Sequence, residues 1–90
     1  MQERRGFTRV IFRREVYLTL SNGESWLSAS EDFSMYGMQV MTESPLDKDQ
    51  MLTLDFKILS QDDWREINLR GKVVYSSAEG DRYKTGISFY

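Results

Sequence analysis

Two short stretches hold side chains whose types and spacing could do chemistry: RGFTR, residues 5–9, and DFSMYG, residues 32–37. In the first, Arg5 and Arg9 stand four positions apart. A guanidinium forks onto phosphate oxygens, donates bidentately to the O6 and N7 edge of guanine, and stacks on a purine face; lysine does only the first well. All five basic residues of the first 14 are arginine (Arg4, Arg5, Arg9, Arg13, Arg14), which favours planar recognition over a generic basic tail. In the second stretch Asp32 and Ser34 are two apart, so along a strand both face one side. A carboxylate accepts both the N1 and N2 hydrogens of a guanine edge, and a serine hydroxyl donates to phosphate or backbone. Gly37 permits a backbone conformation, or a close approach by a ligand, that a Cβ would forbid. The same spacing fits an Asx or Ser turn ending a strand, and Arg13 and Arg14 read as solvated charge.

The charge is unevenly spread. The chain of 90 residues has a net charge of -2 and a pI near 5.1. Its first 14 residues hold five arginines against Glu3, a local +4, leaving 7 basic against 13 acidic residues, or -6, for residues 15–90. A basic arm, 1–14, is thus joined to an acidic body, 15–90. A chain this short buries only about 60–65% of its unfolded surface, enough for one modest core. With no cysteine and no histidine there is no disulfide, no thiolate nucleophile and no common general base or zinc ligand. The acidic pairs Asp47/Asp49 and Asp62/Asp63 fall in expected turns, where carboxylates are solvated, so neither catalysis nor a metal site is expected. No apolar run approaches the roughly 20 residues that span a bilayer, and the arginine-rich start has no apolar h-region. A soluble, cytoplasmic protein without membrane insertion is expected.

The body must position these groups with strands. Glu15 to Leu20 alternates strictly, placing Val16, Leu18 and Leu20 on one face, and Asn22-Gly23 then predicts a type I′ reversal into a strand near Ser25 to Ser30. Met38 to Thr42 is a short third run, closed by the loop ESPLDKD. Met51 to Leu59 points Leu52, Leu54, Phe56 and Ile58 inward. After SQDDW, a long strand gathers Ile67, Leu69, Gly71, Val73 and Tyr75 on one face, with Gly71 a candidate bulge. After SSAEGD, Tyr83, Thr85, Ile87 and Phe89 line the last strand. Six strands, with little or no helix, predict an all-β, six-stranded antiparallel barrel, because closure removes aggregation-prone edges.

Together, RGFTR and DFSMYG resemble the RxxxR and [D/N]xSxxG motifs of PilZ domains, bacterial receptors for cyclic dimeric GMP (c-di-GMP). Their order and the intervening hairpin agree with the family, and YKTGISF looks like its last barrel strand, with Gly86 in the usual place. The resemblance implies a PilZ-type barrel whose flexible N-terminal segment closes over the ligand. Arg5 and Arg9 would clamp phosphates and guanine edges, Asp32 would bind a guanine, Ser34 a phosphate or guanine, and Gly37 would admit the ligand. Arg4 stands where family members with arginine tend to take the dinucleotide as an intercalated dimer. A second RxxxR register exists at Arg9 and Arg13; the first has the family's apolar residue after the second arginine. The C-terminal helix that family members often add is missing from this sequence.

The function implied is a ligand-gated adaptor, its c-di-GMP a signal rather than a cofactor, acting on an unidentified protein effector in motility, biofilm formation or exopolysaccharide export. Open barrel faces leave room for a homodimer. One alternative is a PilZ-type interaction module that binds no nucleotide. Another is an OB-like barrel on single-stranded nucleic acid, with Tyr17, Trp26, Tyr36 and Trp64 as exposed stacking rings. The acidic body, and the inward assignment of Tyr75, Tyr83 and Phe89, argue against nucleic acid.

Overall fold

The structure, a computed structural model, describes residues 10, 11 and 13–90. Alternating sequence becomes strand almost throughout: β1 (Val10–Ile11), β2 (Glu15–Leu20), β3 (Ser25–Phe33), β4 (Gly37–Thr42), β5 (Met51–Ser60), β6 (Asp63–Glu79) and β7 (Arg82–Phe89). Every pairing is antiparallel. The ladder runs β3-β2-β5-β6-β7-β4, and β4 pairs back onto β3, closing six strands into the expected barrel with no helix among the described residues. β1, from the segment expected as arm, pairs with the end of β3: Ile11 faces Asp32 and Val10 faces Phe33. It lies in line with β2, which takes the same edge of β3 from Glu15 opposite Ala29.

The alternation fills the interior. Val16, Leu18 and Leu20 of β2, Leu52, Leu54 and Phe56 of β5, Met38 and Val40 of β4, Val73 of β6 and Ile87 of β7 form the core, and Leu46 from the 43–50 loop joins it. Each such side chain contributes about 1.5–3 kcal/mol on full burial. Hydroxyls that enter this interior are paired, as burial demands. Thr85 Oγ1 lies 3.3 Å from Thr42 Oγ1 and 2.9 Å from Ser76 Oγ, which accepts the Leu46 N–H at 3.2 Å. Trp26, expected to be exposed, is instead half-buried against the core.

Turn chemistry departs from expectation in three places. At Asn22-Gly23 only Gly23 has a positive φ, 95°, so the turn is not type I′. The Asn22 Oδ1 accepts the Glu24 N–H at 2.9 Å, while the Leu20 carbonyl receives Gly23 N–H at 2.9 Å. This gives a three-residue loop with glycine in the left-handed position, the next most common way to close a hairpin. The two-positive-φ turn occurs instead at Gln61 (53°) and Asp62 (66°), between β5 and β6, where no glycine signals it. β6 continues through Ser76 to Glu79, expected as loop, and reverses only at Gly80-Asp81.

Candidate functional site

The DFSMYG stretch sits where β3 ends and β4 begins. The register of β3 on β4 slips between Ser30, opposite Val40, and Asp32, opposite Gln39, so Glu31 is bulged. Ser30 is buried before the bulge; after it, Phe33 packs against the core, edge to face with Phe56 at 6.0 Å. Asp32 flanks Phe33 and is half-buried. The strand stops there, one residue short of Ser34, which forms a turn: its N–H donates to the Gly37 carbonyl at 2.9 Å and its Oγ accepts the Tyr36 N–H at 3.2 Å. The local Ser-turn reading therefore describes this backbone. Ser34, only 4% exposed, still has a hydroxyl hydrogen to donate, while Met35 and Tyr36 stand in solvent.

Gly37 owes its identity to β7. A Cβ there would collide with the Ile87 carbonyl oxygen, and its φ lies outside the left-handed region. The close approach at Gly37 within the barrel is thus that of the neighbouring strand, where the sequence reading named a ligand. Tying the turn down further, the Tyr36 carbonyl accepts the Phe89 N–H at 2.9 Å.

A second bulge shapes the neighbouring wall. Val73 faces Ile87 but Tyr75 faces Gly86, so Val74 is the extra residue and the side-chain alternation of β6 resets. The bulge is here rather than at Gly71, which stays in regular register opposite Leu52 and Phe89. Tyr75 consequently turns out of the core to which the sequence assigned it, and is 39% exposed. Its ring lies over Gly86, where a Cβ would strike it, and its hydroxyl is hydrogen-bonded to Gln39 Nε2. Ser34, Tyr36, Gly37, Gln39, Tyr75 and Ser88 border a shallow groove of about 250 Å³. Sequence reasoning missed Gln39 and Tyr75. The available signal was Gly86, a strand-interior glycine of the sort that marks close approach.

The base of the arm is the third part. Arg14, read from sequence as solvated charge, is held at its backbone: its N–H donates to Ser30 Oγ at 2.8 Å and its carbonyl accepts Ser30 N–H at 2.8 Å. Its guanidinium lies 5.0 Å from the Trp64 ring centroid. Arg4, Arg5 and Arg9 lie outside the described residues. Among the described residues no group of three or more His, Cys, Asp or Glu could hold a metal. Of the acidic pairs, Asp49 lies 3.9 Å from Lys72, and Asp62 forms the β5–β6 turn.

The family model described as PilZ domain matches residues 3–90. No match was found among curated protein sequences. Among solved structures, the chain aligns with the Bacillus subtilis inhibitor of motility (MotI/DgrA) at a TM-score of 0.83 and 16% identity, over 98% of this chain and 43% of that one. It aligns with the PilZ domain, with c-di-GMP, of YcgR from Escherichia coli at 0.74 and 14%, over 97% and 78%. A K. pneumonia MrkH–c-di-GMP complex aligns at 0.67 and 24%, over 99% and 45%. At these identities the likeness is one of fold, and the chain spans less than half the length of MotI and of MrkH.

Proposed function

This chain belongs to the PilZ domain family, and on that premise we propose that it binds c-di-GMP at the β3–β4 corner and acts as a ligand-gated adaptor. As a PilZ domain it is a binding module, not an enzyme. The observation that carries the reading is the pairing of β1 with β3. With Ile11 opposite Asp32 and Val10 opposite Phe33, the residue that follows Arg9 in the chain is paired next to Ser34 and its turn. Chain connectivity from Val10 supports a site in which the arginine-bearing segment joins the DxSxxG stretch at this corner.

In this reading Arg5 and Arg9 fork onto phosphates and guanine edges, Asp32 accepts guanine N1 and N2 hydrogens, and the Ser34 hydroxyl donates to a phosphate. Gly37 keeps the turn close to β7, and the exposed Tyr75 ring offers a face for a base to stack on. Ligand pockets commonly measure about 300–1,000 Å³, so the 250 Å³ groove is small by itself, which fits a site completed by the arm. Ordering the arm costs roughly 1–2 kcal/mol per fixed residue, offset by charge-assisted contacts of several arginines. The ordered arm and ligand together form a surface for an effector protein of motility, biofilm or polysaccharide export. Arg4 selects an intercalated ligand dimer.

Calorimetric titration with c-di-GMP at two salt concentrations, with GTP and a short oligonucleotide as controls, tests this. Selective binding that weakens with salt is expected, with two ligands per protomer if Arg4 acts as stated. Arg9→Ala removes a charge-assisted contact of roughly 1.5–3 kcal/mol, at least tenfold in affinity. Arg5→Lys also weakens binding, because the fork is lost. Folded protein that ignores c-di-GMP leaves the nucleotide-independent interaction module.

A further inference from the structure

We propose that Arg14 and Trp64 are positioning residues for the nucleotide site: their stack fixes the base of the arginine arm on the barrel before ligand arrives. For its ligand this rests on the c-di-GMP reading; for its geometry it rests only on described residues.

Arg14 is the last residue before β2, and β1 ends at Ile11, so the chain passes through Arg14 to reach the edge of β3 beside Asp32. Two contacts hold it. The backbone is clamped to Ser30 of β3, with the Ser30 Oγ also 3.2 Å from the Arg14 carbonyl. The side chain crosses to Trp64 near the start of β6. β3 shares no ladder with β5 or β6, so the arginine links directly two walls that backbone pairing joins only through intervening strands such as β2. Trp64 is 58% exposed and its ladder partner Leu59 also faces solvent, so core packing gives no reason for an indole there. Around the pair lies a groove of about 520 Å³, in which Glu15, Asp55 and Glu66 balance the charges of Arg13, Arg14 and Lys57, so the guanidinium is not repelled from the ring.

The consequence is pre-organisation. Every arm residue held in place before binding is one whose ordering does not oppose binding. A cation–π contact at an exposed site corresponds to about two- to fivefold in an equilibrium constant, which bounds the effect. The guanidinium acts through the chain it anchors, not by touching the ligand.

A double-mutant cycle on c-di-GMP affinity tests this with Arg14→Met, Trp64→Leu and the pair together, each checked by thermal denaturation. Each single substitution should weaken binding about two- to fivefold, and the double no more than either single. Arg14→Lys should recover part of the loss, since it keeps the charge. Unchanged affinity in both singles, or losses that multiply in the double, would overturn the proposal. A ligand-free measurement separates this idea from the nucleotide reading: amide hydrogen exchange at Val10 and Ile11. Trp64→Leu should accelerate it by a similar factor, whether or not wild-type protein binds c-di-GMP; equal rates in the two proteins refute the anchoring.

Discussion

The corner where β3, β4 and β7 meet and the ribbon made by the far ends of β5 and β6 are both antiparallel hairpin structure, yet they are held in opposite ways. At the corner the strands approach until side chains are excluded: Gly37 sits against the Ile87 backbone and Gly86 beneath the Tyr75 ring. In the ribbon, β2 leaves β5 after Asp55 and β7 joins β6 only at Gly71. Residues 56–60 and 63–70 therefore have a single ladder partner each, and Leu59 and Trp64 project into solvent. The candidate binding groups of the body, Asp32, Ser34 and Tyr75, belong to the corner. Their positions follow from main-chain packing, which relaxes little, whereas the ribbon is held by side chains, Phe56, Ile58, Ile67 and Leu69 on the core and Trp64 under Arg14, and only its tip is left to the turn.

The sharpest way to break this contrast is Gly37→Ala. The new Cβ meets backbone rather than a movable side-chain end, so overpacking should cost about 2–3 kcal/mol, or roughly 10–20 °C in Tm for a domain of this size. A Tm within 2–3 °C of wild type would mean that the corner yields as easily as the ribbon. Next in size is Ser34→Ala. It leaves the Tyr36 N–H without its side-chain acceptor at a part-buried site, costing about 1 kcal/mol. If Ser34 also donates to ligand, c-di-GMP affinity falls together with stability; a loss of stability alone would confine the serine to the turn.

The two regions also differ in how far they could be read from sequence. In β5 the run Leu52, Leu54, Phe56 alternates without interruption, and the structure buries all three. The period of two is a local property of residues paired on regular ladders, so it survives into the fold. Around the corner it does not, because two bulges, at Glu31 and Val74, each insert a residue that shifts the face of everything after it. Tyr75 was assigned inward by counting from Val73; one extra residue in the ladder sends it out. Bulges arise from the bending required to close six strands into a barrel, a long-range demand with no reliable local mark. Gln39 and Tyr75 likewise come from strands 36 residues apart, and only closure brings them into hydrogen-bonding reach. The DxSxxG pattern itself is legible, but the contact of Gly37 with the Ile87 backbone depends on β7 lying beside it, which no local pattern marks.

The smallest predicted effect probes the ribbon. Gln61 and Asp62 both occupy positive φ, a conformation that costs an L-residue about 1–2 kcal/mol, though aspartate tolerates it better than most. Asp62→Gly removes that strain and supplies the residue preferred at the second position of this turn, while adding freedom to the unfolded chain. The two terms oppose each other and leave a net gain of about 0.5 kcal/mol, a rise of roughly 2–4 °C in Tm. Because the turn lies at the tip of a two-stranded segment, the gain should come with no change in the exchange of amides in β4 or β7. If Asp62→Gly instead lowers Tm, the carboxylate contributes something beyond the turn. If it alters protection at the corner, ribbon and corner are mechanically continuous, and the contrast drawn between them fails.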